Sequence, residues 1–215
     1  MHLTWIFDLD NTLHNASHGV FPRINQLMLG YIMRHLGLDA DSANALRQYY
    51  YQHYGATLRG MALHHHVDPA TFLEETHPLS ALEPELVIQS ESARVLARLP
   101  GRKLMLSNGP QAYIERVAQR MGFERHFEDM YGIERVNYIT KPDARAFLRV
   151  LGQEKLDPRR CVMVEDSLDN LRTARKLGMK TVWISSETRR PSCVDYRIRD
   201  VSELLRLPFL PLCRS

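Results

Sequence analysis

The chain has 215 residues, of which 44% are hydrophobic and 25% charged, and its 28 basic and 25 acidic residues give a formal net charge of +3. This composition is that of an ordinary globular protein long enough to bury a sizeable core. The basic residues are spread along the chain in clusters no longer than a pair, so a nucleic-acid-binding surface is not expected. The slight positive excess favours small anionic substrates.

Membrane and secretion signals are missing from the sequence pattern. No apolar run reaches the roughly 18 residues of a membrane span, and the first residues do not resemble a signal peptide, so we predict a cytoplasmic protein without membrane contact. Cys161, Cys193 and Cys213 form no Cys-x-x-Cys pattern and are odd in number. We therefore predict reduced thiols, with Cys161 in the core of a strand.

The first predicted element is a strand in the segment LTWIF. Residues 15–87 then show apolar residues at helical spacing and no strand pattern. Gly37 and Gly55 are predicted to end the first two helices of this stretch, and Pro69 to open the fourth. The stretch 15–87 is therefore predicted to be a small all-helical domain inserted after the first strand.

From residue 88 onward, predicted helices and strands alternate, with strands at KLMLS, near Met130, and at CVMVED and KTVWIS. Alternation at this spacing predicts a parallel sheet with helices on both faces. Residues 1–14 and 88–215 are accordingly predicted to form one Rossmann-like α/β core.

Side chains with useful chemistry follow several of these strands. Asp8, Ser107 and the pair Glu165–Asp166 each come at a predicted strand end. Ligands of open parallel sheets gather at the carboxyl ends of the strands, so these groups are expected to converge. Neighbouring carboxylates resist ionising together unless a cation lies between them, which predicts a divalent metal site.

Four fragments, FDLDNT, LSNGP, TKPD and VEDS, occur in this order and resemble the four motifs of the haloacid dehalogenase (HAD) superfamily of phosphohydrolases. Taken singly, each has a simpler interpretation as a turn, a solvated lysine or a helix cap. Four such fragments in the right order favour the family. The helical insert also lies where the superfamily often carries its cap domain.

The resemblance implies a role for each acidic motif residue. Asp8 would be the nucleophile that forms an aspartyl-phosphate, and Asp10 would protonate the leaving oxygen and then take a proton from water. Mg²⁺ would be held by Asp8, the backbone carbonyl of Asp10, and Asp166, since it prefers oxygen ligands.

The resemblance also implies the phosphate-binding groups. Ser107 and the backbone N–H groups of Asn108 and Gly109 would bind phosphate oxygens. Lys141 would neutralise the charge shared by nucleophile and phosphate.

Two relatives with other chemistry fit less well. Haloalkanoic acid dehalogenases resemble this pattern but lack an acid at the place of Asp10. Phosphonate-cleaving relatives use a cap lysine for a Schiff base, whereas residues 15–87 contain no lysine. A phosphomutase is not ruled out by the core motifs.

The cap sequence indicates the substrate. The segment from Tyr49 to His77 resembles the cap of the pyrimidine 5′-nucleotidase branch, with a Tyr-Gly-x-Thr-Leu-Arg-Gly stretch that includes Arg59. A guanidinium there could bind a base carbonyl or a phosphate, and the alternative is a surface arginine or a cap–core salt bridge. The sequence departs from that branch at His14, whose role is open, as is that of Glu165.

The predicted cap contains a run of three histidines and a run of three tyrosines. His64, His65 and His66 are consecutive, so on a helix they point about 100° apart and are not expected to hold one metal ion. The run 49–51 contains three tyrosines, of which one could stack on a base and at least one should face the cap core.

The resulting hypothesis is a Mg²⁺-dependent phosphomonoesterase acting on a small phosphate ester, foremost a pyrimidine nucleoside 5′-monophosphate. The alternatives are a sugar-phosphate or phosphoglycolate-type phosphatase and a non-catalytic nucleotide-binding protein. The protein is expected to be a monomer or a weak dimer.

Overall fold

The computed structural model describes residues 3–209, and its centre is a six-stranded sheet in which all neighbouring strands run parallel. The strand order is β3-β2-β1-β4-β5-β6. The strands are β1 (Thr4–Phe7), β2 (Arg102–Leu106), β3 (Asp129–Tyr131), β4 (Cys161–Glu165), β5 (Lys180–Ile184) and β6 (Tyr196–Ile198).

Nine α-helices occur in the described part of the chain, six of them between β1 and β2. The first five are α1 (Val20–Leu36), α2 (Ala40–Tyr54), α3 (Thr57–His65), α4 (Pro69–Thr76) and the short α5 (Leu79–Leu82). The other four are α6 (Glu91–Arg98), α7 (Gln111–Met121), α8 (Ala144–Gln153) and α9 (Leu168–Lys176).

The sheet is covered on both faces, as predicted for an α/β protein. In β1, Trp5 and Phe7 belong to one hydrophobic cluster with residues of α6 and α7, whereas Ile6 belongs to another with residues of α8 and α9. Successive side chains of a strand point to opposite faces, so a strand that is apolar at every position is buried on both.

Helices α1–α4 pack around a cluster of their own, in which Ile32, Tyr50, Met61 and Phe72 are buried, whereas Leu82 of α5 packs in the cluster against the sheet. Helix α1 also reaches the main core, because Val20 near its start belongs to the cluster against the sheet. We call α1–α5 the cap. The division of the chain into domains at residues 14 and 88 stays a prediction.

Local signals in the sequence account for the cap helices. Gly37 and Gly55 adopt the left-handed conformation just after α1 and α2, which glycine tolerates best. The side chains of Asp39 and Asp68 accept backbone N–H bonds at the starts of α2 and α4. The predicted ends of these helices are therefore confirmed.

The short helix α5 and the last two elements of the described chain were not predicted from the sequence. Strand β6 has three residues, and the 3₁₀ helix Val201–Arg206 follows it. Both lie beyond the last clear helical or strand period, and burial of Ile198 and Leu204 against the sheet stabilises them. Cys161 and Cys193 are buried free thiols, while Cys213 lies outside the described residues.

Candidate active site

The strand order reverses at β1, because the chain continues to β2 and β3 on one side and to β4, β5 and β6 on the other. Such a switch point opens a crevice at the carboxyl ends of the strands. Asp8 follows β1, Ser107 follows β2 and Glu165 ends β4. These three residues are buried and line the same cavity of about 1070 Å³.

Lys141 lies at the centre of the site although it belongs to no strand. Its Nζ is 2.7 Å from Asp8 Oδ1 and 2.7 Å from Glu165 Oε2, and the whole residue is 1% exposed. A buried ammonium is costly unless it is paired, so these two carboxylates are what allow Lys141 to remain charged there.

Glu165 is the partner of this lysine whose role the sequence left open. Its Oε2 accepts bonds from Lys141 Nζ and, at 3.0 Å, from Asn170 Nδ2. Its Oε1 accepts the backbone N–H bonds of Asp166 and Ser167, both at 3.2 Å. With both oxygens occupied in this way, Glu165 is a structural anchor for Lys141 and a poor candidate for a metal ligand.

The acidic side chains outnumber the positive charge here. Burial, followed by the charge of Glu165, raises the pKa of Asp8 to about 7 despite Lys141. Burial also raises the pKa of Glu165 to about 7, and burial with the charge of Asp8 raises the pKa of Asp166. Burial alone would lower the pKa of Lys141, but Asp8 and Glu165 raise it overall.

A divalent cation fits this group. Oxygens of Asp8, Glu165 and Asp166 lie within 4.8 Å of one another, and they form the one such acidic group found among residues 3–209. Because the oxygens of Glu165 are engaged, the oxygens available to an ion are those of Asp8 and Asp166. Hard cations such as Mg²⁺ take carboxylate oxygens, and binding would offset the repulsion that raises these pKa values.

The segment after β2 supplies a possible phosphate cradle next to Asp8. Ser107 is 1% exposed, and its Oγ accepts a 3.0 Å bond from the backbone N–H of Gly109. The side chain of Asn108 bonds to the backbone of Lys141 twice, at 2.8 Å and 3.0 Å. The sequence predicted only the backbone of Asn108 as functional, whereas its side chain ties the segment to the lysine.

Asp10 lies at the rim of the same cavity, with 16% of its side chain exposed. Its Oδ1 is 2.6 Å from the hydroxyl of Tyr113 and 2.8 Å from Nε2 of His14. Tyr113 belongs to α7 and is buried, as is His14. No local pattern distinguishes Tyr113 from other core residues of α7, so this contact could not be predicted from the sequence.

The cap closes the other side of the cavity, and two of its arginines reach the lining. Arg59 Nη1 is 3.4 Å from Asp143 Oδ2, which is the cap–core salt bridge that the sequence left as the alternative to substrate contact. Arg47 is half-buried and bonds instead to the amide oxygens of Asn25 and Asn44. Among the described residues Arg47 has no carboxylate partner.

One tyrosine of the run 49–51 faces the cap core, as predicted. Tyr50 is buried in the cap core, whereas Tyr51 is exposed at the cavity lining. His64 and His65 bond to the hydroxyls of Tyr54 and Tyr50 at 2.6 Å and 2.8 Å. These histidines therefore hold α3 against α2.

Comparisons with known proteins place this geometry in a family. The family model of haloacid dehalogenase-like hydrolases matches residues 4–178, which contain every site residue described above. The chain belongs to this family. Within the matched residues, Asp8, Ser107 and Glu165 lie at the carboxyl ends of parallel strands.

Among curated relatives, the hydrolase is similar to Phosphate metabolism protein 8 of Saccharomyces cerevisiae, with 26% identity over 196 residues. The match covers 81% of this chain and 59% of the yeast protein, so the chain spans less than two thirds of that relative.

Solved structures of similar fold include enzymes of two kinds. A HAD phosphatase from Thermococcus onnurineus is 21% identical, with a TM-score of 0.67 over 96% of this chain and 97% of that one. An L-2-haloacid dehalogenase from Xanthobacter autotrophicus is 17% identical, with a TM-score of 0.61 over 96% and 98%. At such identities the likeness shows the fold alone.

None of the described helices is long and apolar enough to cross a membrane.

Proposed function

We propose that the hydrolase is a Mg²⁺-dependent phosphomonoesterase that uses Asp8 as its nucleophile. The observation that carries this proposal is the convergence of Asp8, Lys141 and Asp166, three motif residues separated by long stretches of sequence. Lys141 contacts Asp8 at 2.7 Å, and the oxygens of Asp8 and Asp166 lie within 4.8 Å of one another.

In the first step an oxygen of Asp8 attacks phosphorus, and the bond from phosphorus to the leaving oxygen breaks. Asp10 gives its proton to that oxygen, so the product leaves as an alcohol. Lys141 lowers the energy of the negative charge that Asp8 shares with the phosphoryl group, and the donors of Ser107 and its neighbours hold the phosphate oxygens.

In the second step water attacks phosphorus of the aspartyl-phosphate and gives its proton to Asp10. The bond from phosphorus to Asp8 breaks, which restores the carboxylate and releases phosphate. Splitting one displacement into two easier ones is the general advantage of a covalent intermediate. Mg²⁺ would be held by Asp8, Asp166 and the backbone carbonyl of Asp10. Its positive charge would reduce the repulsion between the negatively charged phosphate and the carboxylates.

The presence of Asp10 supports ester cleavage over carbon–halogen cleavage. A halide leaves as a stable anion and needs no proton, whereas an alkoxide is a poor leaving group without one. Because the fold neighbours include both a phosphatase and a dehalogenase, the residues of the site have to decide between the two chemistries.

For the substrate we propose a pyrimidine nucleoside 5′-monophosphate. The cavity of about 1070 Å³ is large for a two-carbon phosphate ester and can take a nucleotide. Tyr51 and Tyr54 offer aromatic surface there, and Arg47 offers donors that no described carboxylate engages. Arg59 remains a second candidate for substrate contact, with its guanidinium shared with Asp143.

A panel of phosphate esters, assayed with and without Mg²⁺, tests the proposal. We expect hydrolysis of UMP and CMP with Mg²⁺ and none after chelation. Faster turnover of phosphoglycolate or hexose phosphates than of UMP and CMP would contradict the nucleotide assignment. It would favour a sugar-phosphate or phosphoglycolate-type phosphatase. Absence of turnover for every ester, including 4-nitrophenyl phosphate, would contradict the phosphatase assignment itself.

A further inference from the structure

The carboxylate of Asp10 has two oxygens in different surroundings. Oδ1 faces Tyr113 Oη at 2.6 Å and His14 Nε2 at 2.8 Å, while the two partners lie 3.4 Å apart. No hydrogen bond to Oδ2 occurs among residues 3–209. One oxygen of Asp10 is thus bound on two sides, and the other is left for chemistry in the cavity.

Both contacts have a defined direction. The phenol of Tyr113 donates to Oδ1, and because a carboxylate oxygen accepts, Nε2 of His14 carries a proton when it bonds there. An oxygen that accepts two bonds is a poor place for a further proton. A proton on Asp10 therefore belongs on Oδ2.

We propose that His14 and Tyr113 are positioning residues that confine the transferable proton of Asp10 to Oδ2. This inference rests on the proposed phosphatase function and assigns roles to two residues outside the four motifs. In the first step the proton moves from Oδ2 to the leaving oxygen as its bond to phosphorus breaks, and in the second step Oδ2 receives a proton from water. Oδ1 stays bound to His14 and Tyr113 throughout.

The positions of both partners are fixed by packing. His14 is 4% exposed and Tyr113 is 2% exposed, so neither side chain has room for another conformation without repacking. A methyl group on Gly109 would lie 2.9 Å from the Tyr113 ring, which means that the phosphate segment packs directly on this tyrosine. Placement of the phosphate and placement of the acid are therefore linked through one ring.

The test compares two substrates that differ in their need for a proton. 4-Nitrophenolate leaves readily without protonation, whereas the alkoxide of an alkyl phosphate such as UMP does not. The quantity measured is kcat/KM with Mg²⁺ present, because it reports the steps up to departure of the leaving group. The variants are Tyr113→Phe, which keeps the ring, His14→Ala, and His14→Gln, which keeps a side-chain N–H donor.

We expect Tyr113→Phe and His14→Ala each to lower kcat/KM for UMP roughly 10- to 100-fold, part of the usual contribution of a general acid. For 4-nitrophenyl phosphate the loss should be within about 3-fold, and His14→Gln should recover much of the UMP activity. Retained aryl phosphate activity also shows that the variants fold.

Tyr131→Phe is the matched control, because Tyr131 is a buried tyrosine that donates to the carboxylate of Glu154 and does not line the cavity. It should leave the ratio of the two substrates unchanged. Equal losses on both substrates in the Tyr113 and His14 variants, or no loss on either, would overturn the inference while the phosphatase function stands. A parent protein inactive on both esters would instead overturn the proposed function.

Discussion

At the scale of single residues, the site is dominated by charges that are buried almost completely. Lys141 and Glu165 each have 1% of their side chains exposed, and Asp8 has 10%. Two carboxylates around one ammonium leave an excess of negative charge, which is unfavourable in a dry interior. A site that is strained in this way when empty is well suited to a cation and to the transfer of a phosphoryl group.

Replacing Asp8 by Asn should abolish turnover, because an amide oxygen is too weak a nucleophile to form the acyl-phosphate. We expect kcat for UMP to fall on the order of 10⁴-fold or more, as for other enzymes that lose their nucleophile. Asp41→Asn, an equal change at an exposed position of α2, is the control. Substantial activity in Asp8→Asn, with Asp41→Asn unaffected, would exclude Asp8 as the nucleophile.

The raised pKa values predict how metal binding depends on pH. The pKa of Asp8 and that of Glu165 are about 7 in the folded protein, above the ordinary values of 3.8 for Asp and 4.5 for Glu. Their contribution to the free energy of unfolding is therefore present in acid and is lost as pH rises through about 7. Mg²⁺ binds the ionised form of Asp8 and should offset the part of that loss that comes from Asp8. Melting temperatures with and without Mg²⁺ at about pH 5.5 and about pH 8.5 test this expectation.

Saturating Mg²⁺ should raise Tm by roughly 3–5 °C more at the higher pH, from mass action on a protein of this size. Asp166→Asn serves as the control, since it removes a proposed ligand and should abolish the difference. An equal shift at both pH values would argue against a cation between Asp8 and Asp166.

At the scale of elements, the cap depends on close contact between helices α2 and α3. Gly60 of α3 packs on the Tyr50 ring of α2 so closely that a methyl group would lie 2.1 Å from a ring carbon. Tyr50 in turn bonds to His65 on α3. Glycine in a helix costs conformational entropy, and here that cost is offset by the close approach of the two helices.

The change Gly60→Ala should therefore destabilise the protein although alanine is the better helix former. We expect a loss of about 1–3 kcal/mol from overpacking against Tyr50. Gly30→Ala in α1 is the matched control, because its methyl group would meet only the flexible end of Arg34 at 3.3 Å. It should stabilise the fold by about 0.5–1 kcal/mol. Urea denaturation of both variants measures the two effects, and equal changes would refute the proposed packing.

At the scale of the whole molecule, the cap covers the sheet edge and touches it near Lys141. A methyl group on Gly55 would lie 2.6 Å from Pro142 Cδ, and Arg59 pairs with Asp143. The residues after Lys141 thus contact the cap, while Lys141 itself contacts Asp8. The leaving group of the substrate would lie in the cavity between the cap and the sheet.

Arg47 should discriminate between substrates with and without a base. We expect Arg47→Gln to lower kcat/KM for UMP roughly 10-fold or more, the worth of one hydrogen bond from a charged group, and to spare ribose 5-phosphate. Arg34→Gln, at an exposed arginine of α1 paired with Glu75, is the control and should change neither. If Arg59→Gln rather than Arg47→Gln removes the preference for UMP over ribose 5-phosphate, Arg59 is the residue that contacts the base.

Sequence patterns were sufficient for most of the fold, because they report local physics. Glycines after helices, a proline at the start of α4 and runs of buried β-branched residues each act over a few positions. The polar residues that follow several strands were also expected to meet, since parallel strands place their carboxyl ends on one edge of the sheet. In this way Asp8, Ser107 and the pair Glu165–Asp166 were predicted to share one site, and the resemblance to the four family motifs added Lys141.

The partners of those motif residues depended on tertiary structure. Tyr113 and His14 meet at Asp10 from positions 99 residues apart, and Glu165 engages Lys141 with one oxygen while backbone N–H groups take the other. Such contacts depend on the angle at which whole helices pack against the sheet. No local pattern in the sequence reports that angle. The chain by itself determined which chemical groups are available, and only the folded arrangement decided which of them touch.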